Sequence, residues 1–472
     1  MWHLPLHGSR AQRVPSTVPA VRAPRFLERL FDWLRYDLPA RLDRGVIAIA
    51  AGVVLAAVLV WALVSGPLAG DDETDPEVRE VTVAVESDDP EQTPVGTLGF
   101  PLVATRNTTR VSGPDPTADA AATALATHPP SPSGNAVEAA ILVPEGNWQA
   151  GIAASVLAGP PLRAPILISS PGGVPESTAL ALAQLNPRGG AGPADVAVYR
   201  VGEVSAPTGV QAEQVKGSTP AGLADALDEL RQDLLKAEPE NIVIASNDRA
   251  GFAMPAASWA ARSGDPVLFS GRDQVPAETL DALKRHPKAA VYVLGPESVI
   301  SQEALQEIEG AAQNVQRIGG EDPVANAIAF ARYTDPSFGW NINDPGHGLV
   351  MANAARPLDA AAAASLSASG KWGPLLITET PDALPPDLRA FLLEIKPGYE
   401  EDPTRAVYNH VWLIGDASAI GASVQAEIDD LAELAQIGAG GALAPTTDSE
   451  PGTAAPGGHD EPIPQQGGKV KP

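Results

Sequence analysis

A chain of 472 residues with 44% hydrophobic content is long enough to form two or three packed domains. Its 58 acidic residues against 32 basic ones give a formal charge of −26, and beyond residue 44 no cluster of Lys and Arg is visible, which argues against nucleic acid as a partner. The absence of Cys excludes disulfides, thiolate metal sites and thiol nucleophiles.

In chain order, residues 1–44 form a basic segment with eight Arg (10, 13, 22, 25, 29, 35, 41 and 44) against Glu28, Asp32, Asp37 and Asp43. Phe26, Leu27, Leu30, Phe31, Leu34 and Leu38 recur there at helical spacing, which suits either an amphipathic helix on the inner leaflet or a simple run-up to the next segment. Residues 45–65, GVIAIAAGVVLAAVLVWALVS, carry no charge. About twenty such residues match the roughly 30 Å of hydrocarbon that a transmembrane helix must cross. The acidic Gly70-Asp71-Asp72-Glu73 follows, so the positive-inside bias predicts a single-pass anchor in the cell membrane with a cytoplasmic N-terminus and an extracytoplasmic remainder. A cleaved signal peptide is the alternative, but its basic region is too long and so is its apolar stretch. The part beyond residue 44 keeps 24 basic and 54 acidic residues, a formal charge of −30. Residues 66–95 read as an acidic linker with one short alternation at Val81–Val85, and the Gly/Pro/Ala-rich residues 438–472 as a disordered tail.

Three short apolar runs recur in the same order between these ends. They are AAILVP (139–144), PILIS (165–169) and VAVYRVG (196–202); then NIVIAS (241–246), PVLFSG (266–271) and AVYVLG (290–295); then GLVMAN (348–353), PLLITE (374–379) and HVWLIGD (410–416). Continuous β-branched runs bounded by Gly, Pro or polar residues are the pattern of parallel strands buried on both faces. Ala-rich stretches (GIAASVLAG, FAMPAASWAARSG and LDAAAAASLSASG) follow the first run of each unit and predict helices. Val174-Pro175, Val275-Pro276 and Leu384-Pro385 predict helix starts with Pro in the first turn. The fold class is therefore α/β, with three tandem Rossmann-like or flavodoxin-like modules over 96–210, 211–312 and 313–437, each built on a parallel sheet.

The order of motifs resembles the type 2 cell-wall-binding repeat of Gram-positive surface proteins over roughly residues 100–437. The Arg-hydrophobic-Gly opening of that repeat matches Arg110-Val111-Ser112-Gly113 and Arg317-Ile318-Gly319-Gly320, and more weakly Val215-Lys216-Gly217. Its Pro-hydrophobic strand matches Pro165-Ile166-Leu167, Pro266-Val267-Leu268 and Pro374-Leu375-Leu376, and its last strand matches Val291-Tyr292-Val293-Leu294-Gly295. The Asp of its Phe-x-Asp-Ala-Leu helix is found as Asp359, whereas the other units have Trp148-Gln149-Ala150 and Phe252-Ala253-Met254 there. The resemblance implies a non-catalytic envelope protein that binds cell-wall polysaccharide or an anionic glycopolymer; residues 45–65 would anchor it in the membrane, and the acidic surface suggests that divalent cations or the few basic residues mediate the contact.

No metal-ligand spacing appears among the seven His, and no phosphate-loop, dinucleotide-binding or serine-hydrolase motif follows a predicted strand, so neither a cofactor nor a catalytic site is expected. Ligands of open parallel sheets bind at the carboxyl ends of the strands. The candidate contacts there are Glu145, Asn147 and Trp148 in the first unit, Asn247, Asp248 and Arg249 in the second, and Asn353, Arg356 and Asp359 in the third. Loops and helix starts also favour Asn and Asp for capping alone. A scaffold or sensor that binds another protein is the alternative function, and an envelope enzyme the third.

Overall fold

The computed structural model describes residues 102–129, 137–190, 195–368 and 373–437. The predicted basic segment, membrane span, acidic linker and tail lie outside these residues. Among the described residues no helix is long and apolar enough to cross a membrane.

The first third of the described chain holds β1 (Leu102–Ala104), β2 (Thr108–Val111), α1 (Pro116–Thr127), β3 (Ala140–Pro144), α2 (Trp148–Ala154), β4 (Ile166–Ser169), α3 (Glu176–Leu185) and β5 (Val198–Val201). The middle holds β6 (Ala212–Val215), α4 (Pro220–Leu235), β7 (Asn241–Ser246), α5 (Ala250–Ala253), α6 (Pro255–Ser263), β8 (Val267–Ser270), α7 (Ala277–Arg285) and β9 (Ala290–Leu294). The last part holds α8 (Gln302–Ala311), β10 (Val315–Ile318), α9 (Pro323–Arg332), β11 (Gly348–Asn353), α10 (Leu358–Ala368), β12 (Leu375–Thr378), α11 (Pro386–Glu394), β13 (Gly398–Tyr399), β14 (His410–Ile414), α12 (Ala422–Ala432) and β15 (Ala435–Gln436). Each of the nine apolar runs is a strand, and most of their residues are buried, as expected for strands covered by helices on both faces.

Three principal sheets result, in the orders β4-β3-β5-β6, β8-β7-β9-β10 and β12-β11-β14-β2-β1. Every pairing in them is parallel except the β1–β2 hairpin. The sheets share one pattern, in which the first strand of a unit lies between the second and the third, and a fourth strand closes the outer side. In the first two sheets that closing strand comes next in the chain. In the third it is β2, some 300 residues earlier, which runs parallel to β14 with Thr108 opposite Val411 and Val111 opposite Ile414. The Arg-hydrophobic-Gly elements expected to open the units are thus closing strands: β6 belongs to the sheet of β5, β10 to that of β9, and β2 to that of β14.

One side chain in each closing strand repeats a single bond. Arg110 donates from Nη1 to the carbonyl of Gly415 at 2.8 Å, Arg317 from Nη1 to Gly295 at 2.9 Å, and Gln214 from Nε2 to Gly202 at 3.0 Å. Each acceptor is the left-handed glycine just past a sheet's third strand, with φ of 102°, 132° and 69°. The glycine that ends each element, Gly113, Gly217 or Gly320, has no room for a Cβ, which would overlap the first turn of the helix that follows. Those helices start alike. Asp115, Thr219 and Asp322 accept a hydrogen bond from the backbone N–H three residues on, at 2.8–2.9 Å, and a proline occupies the next position.

The prolines after the second strands sit one step earlier than the sequence predicts. Pro175, Pro276 and Pro385 are N-caps with φ near −56° and extended ψ, so they direct the chain into the helix instead of forming its first turn.

The Ala-rich stretches form α2 with its trailing 3₁₀ turn, α6 and α10, and these pack against one another in the largest hydrophobic cluster. Small side chains let the backbones approach: a Cβ on Gly151 would lie 2.9 Å from Ala361 Cβ and 3.2 Å from Leu358 Cδ2. This explains why the stretches are rich in Ala and Gly where a surface helix would alternate apolar with charged residues.

Candidate functional site

Packing α2, α6 and α10 together brings the tips of β3, β7 and β11 into one neighbourhood, because each tip leads directly into one of those helices or into the short α5 before α6. Gln149 Nε2 donates to the backbone oxygen of Asn247 at 3.0 Å, which links the first tip to the second. A Cβ on Gly251 would lie 3.6 Å from Ala354 Cβ, so the second tip abuts the third.

Within this cluster the nine candidate residues fall into three groups. Glu145, Asp248 and Arg249 are exposed. The Arg249 guanidinium lies 5.8 Å from the centre of the Phe252 ring, and it makes no ion pair among the described residues.

Asn147, Asn247 and Trp148 are half-buried and hold the loops. Asn147 Oδ1 caps α2 by accepting from Ala150 N–H at 3.0 Å. Asn247 Nδ2 reaches Asp248 Oδ1 at 3.4 Å, while its own amide oxygen is buried without a partner. Trp148 meets Phe269 edge to face, with centroids 6.1 Å apart at 88°, and so wedges the first unit against the second. That apolar contact accounts for a Trp at the start of α2, in a stretch that the sequence reads as a polar loop.

The third group is a buried polar network. Asn353 is 3% exposed, donates from Nδ2 to Ala419 O at 2.8 Å and accepts from Ala355 N–H at 2.8 Å. Arg356 donates to Asp119 on α1, lies 3.0 Å from Asp359 Oδ2 at the start of α10, and lies 3.5 Å from Asp416 Oδ1. Both Asp119 and Asp359 are fully buried. Burial, first of all, pushes Asp119 up to about 8, and the neighbouring Asp359 charge adds to this while Arg356 pulls it down. Burial likewise raises Asp359 to about 7, opposed by Arg356. The pair therefore retains a proton near neutral pH, and Arg356 balances the remaining charge.

Sequence reasoning missed Asp119 altogether. In the sequence it is an acid in the first turn of an Ala-rich helix, and only the closing of the third sheet by β2 places α1 against α10. Among the described residues, no three His, Asp or Glu side chains are grouped so as to hold a metal ion.

Residues 317–425 match the family model described as cell wall binding domain 2 (CWB2). Among solved structures, the chain is similar to Cwp6 from Clostridium difficile, with a TM-score of 0.55 and 19% identity over 68% of this chain and 48% of that one. It is also similar to Cwp8 from Clostridium difficile, with a TM-score of 0.54 and 20% identity over 69% of this chain and 52% of that one. The chain thus spans about half the length of each, and what it shares with them is the fold. No curated protein sequence matches it. The domain match and the shared fold together support the CWB2 family.

Proposed function

We propose that this is a non-catalytic envelope protein whose three Rossmann-like modules bind a cell-wall glycopolymer through the clustered strand tips. The observation that carries this reading is the CWB2 match over residues 317–425. The link from the first tip to the second through Gln149 and Asn247 supports it, since both tips carry exposed charged groups, Glu145 on one and Asp248 and Arg249 on the other. The uncharged stretch 45–65 and the charge bias around it support a membrane anchor that presents the modules outside the cell. A formal charge of −30 beyond residue 44 makes direct contact with a polyanion costly, so cations or the few basic tips mediate it.

The test is sedimentation of the full-length chain in detergent with isolated cell wall, with and without EDTA. Retention on wall stripped of protein is the expected result, and loss of retention in EDTA identifies bridging cations. No retention in either condition overturns wall binding, and retention that disappears after protease treatment of the wall favours a protein partner.

A further inference from the structure

The helix after each closing strand packs against a helix of the unit that follows it in the chain: α1 on α3, α4 on α7 and α9 on α11. Counted from the N-caps Asp115, Thr219 and Asp322, the position of Asp228 on α4 corresponds to Ala124 on α1 and Ala331 on α9. Counted from Pro175, Pro276 and Pro385, the position of His286 at the end of α7 corresponds to Leu185 and Ile395. Ala124 and Leu185 are buried in one hydrophobic cluster, and Ala331 and Ile395 in another. The first and third junctions are thus sealed by apolar side chains, whereas the second sets a buried imidazole against a buried carboxylate. Exchanging a buried ion pair for apolar residues is often neutral or stabilising, and this fold seals the same position twice without charge. Packing alone does not account for His286 and Asp228.

The geometry of the pair demands a proton. His286 Nε2 lies 2.7 Å from Asp228 Oδ2 and Nδ1 lies 2.6 Å from Glu238 Oε2, with the ring and the Asp228 side chain wholly shielded from solvent. A neutral imidazole has one N–H and one lone pair, so it satisfies one carboxylate and turns its lone pair on the other; the imidazolium donates to both. Arg285 on α7 donates to Asp225 and, at 2.9 Å, to Asp228 Oδ2, and Glu229 Oε1 lies 3.9 Å from its Nη1. Arg231, also on α4, donates to the carbonyls of Gly264 and Ala237, while Lys236 and Lys284 pair with Asp233 and Asp281 on exposed faces. β8 brings no titratable side chain, and α8, which also packs against α7, places Glu307 on the Val275 N–H ahead of the start of α7. Asp228 and Glu238 therefore decide the charge of the ring. Burial works against the imidazolium, but their hydrogen bonds and charge outweigh it, so the ring holds its proton more firmly than an ordinary His.

We propose that His286 is a proton-operated latch at the junction of the first two units. α4 runs from the closing strand of the first sheet into the first strand of the second, and packs against α2 as well as α7. Protonated, His286 binds α4 through Asp228 and the turn after it through Glu238. As the pH rises and the ring loses its second proton, one of those contacts becomes repulsive and α4 loosens from α7. The first and third junctions, closed by apolar side chains, have no such response.

Hydrogen exchange of the full-length chain in detergent, followed by mass spectrometry from pH 6 to pH 9 and scaled for intrinsic exchange rates, tests this. Protection in α4 should fall by about tenfold relative to α9, the worth of one hydrogen bond to a charged group. A change in global stability moves both helices alike and cancels in that ratio. His286→Leu combined with Asp228→Ala installs the pair that the first unit carries and should abolish the relative fall. Glu238→Gln, at a side chain 64% exposed, needs no repacking and should move the midpoint of the fall to lower pH, because the ring then faces one carboxylate instead of two. Parallel protection of α4 and α9 across the range, a fall that survives the double substitution, or a midpoint unmoved by Glu238→Gln overturns the proposal.

Discussion

Arg356 donates to Asp119, a residue 237 positions earlier in the chain, and in doing so ties the first helix of the described fold to the third unit. Arg356 lies three residues before Asp359 and bridges two buried carboxyl groups, with its own side chain 15% exposed. Removing one member of a buried ion pair strands its partners in a low-dielectric site. Arg356→Met is expected to lower unfolding stability by about 3 kcal/mol, whereas Asp119→Asn, which keeps an acceptor for the Gly113 N–H, costs far less. Urea denaturation of both variants checks this, and equal losses would contradict the assignment of Arg356 as the hub.

The same network sets a pH dependence. Asp119 and Asp359 are raised to about 8 and about 7, from an ordinary value of 3.8, chiefly by burial. The folded chain therefore holds protons that the unfolded chain has released, so the stability they contribute is full below about pH 4 and is lost as the pH rises through 7 and 8. His286 acts in the same sense. Burial pulls its ring down, but hydrogen bonds and charge from Asp228 and Glu238 outweigh that and raise it, so its contribution is full below its ordinary 6.5 and lost above. Unfolding free energy should fall between pH 5 and pH 8, and Asp119→Asn, by relieving the carboxyl repulsion, should flatten that fall. A stability profile that rises over this window would refute the coupling.

Arg110 is the other long-range tie. It is 5% exposed and donates to Gln425 Oε1 and to the carbonyls of Gly415, Asp416 and Ile420 at 2.6–2.9 Å. Arg110→Met leaves the carbonyls of Gly415 and Ile420 and the amide oxygen of Gln425 without their donor, and at about 1 kcal/mol each the loss should reach roughly 3 kcal/mol. Because β2 would then lose its tie to the turn after β14, the first cleavage by a dilute protease should move to the segment before α1. Arg317→Met, with two carbonyl partners, should cost less.

Much of this architecture could be read from the sequence, because continuous β-branched runs carry their own signal. Every predicted strand run, from Ala139-Ala140-Ile141 to His410-Val411-Trp412, is a strand, and the Ala-rich stretches are helices. What the sequence concealed is partnership across distance. Arg110-Val111-Ser112-Gly113 is visible as a motif, but nothing local says that it pairs with β14 three hundred residues on. The tip residues show the same limit. Arg356 and Asp359 have the chemistry of ligand contacts, yet with Asp119 beside them that chemistry is engaged in a buried network; Glu145, Asp248 and Arg249 face solvent.

The contact of the Ala-rich helices makes a steric prediction. A Cβ on Gly151 already lies 2.9 Å from Ala361 Cβ, closer than carbon atoms pack, so Gly151→Val must push α2 away from α10. Overpacking of this kind costs about 1–3 kcal/mol. Because those helices place the tips, the separation should also disturb the Gln149–Asn247 bond, and amide exchange in 147–149 should accelerate more than in α11. Uniform acceleration across both segments would show that the substitution loosens the whole fold instead.

Charge reversal at the exposed tips tests whether they bind the wall without perturbing the fold. Among the described residues the Arg249 side chain meets only the Phe252 ring, worth about 0.5 kcal/mol at an exposed site, and the Asp248 side chain is hydrogen-bonded only to the adjacent Asn247. Arg249→Glu and Asp248→Lys should each leave stability within about 0.5 kcal/mol of the parent. If the polymer is anionic, Arg249→Glu reduces retention on isolated wall at low salt, and Asp248→Lys increases it and makes it less sensitive to EDTA, because the introduced ammonium replaces a bridging cation. Both effects should fade as ionic strength rises and the screening length shortens to about 3 Å at 1 M salt. Identical retention of the two variants at low salt would place polymer binding elsewhere than the strand tips.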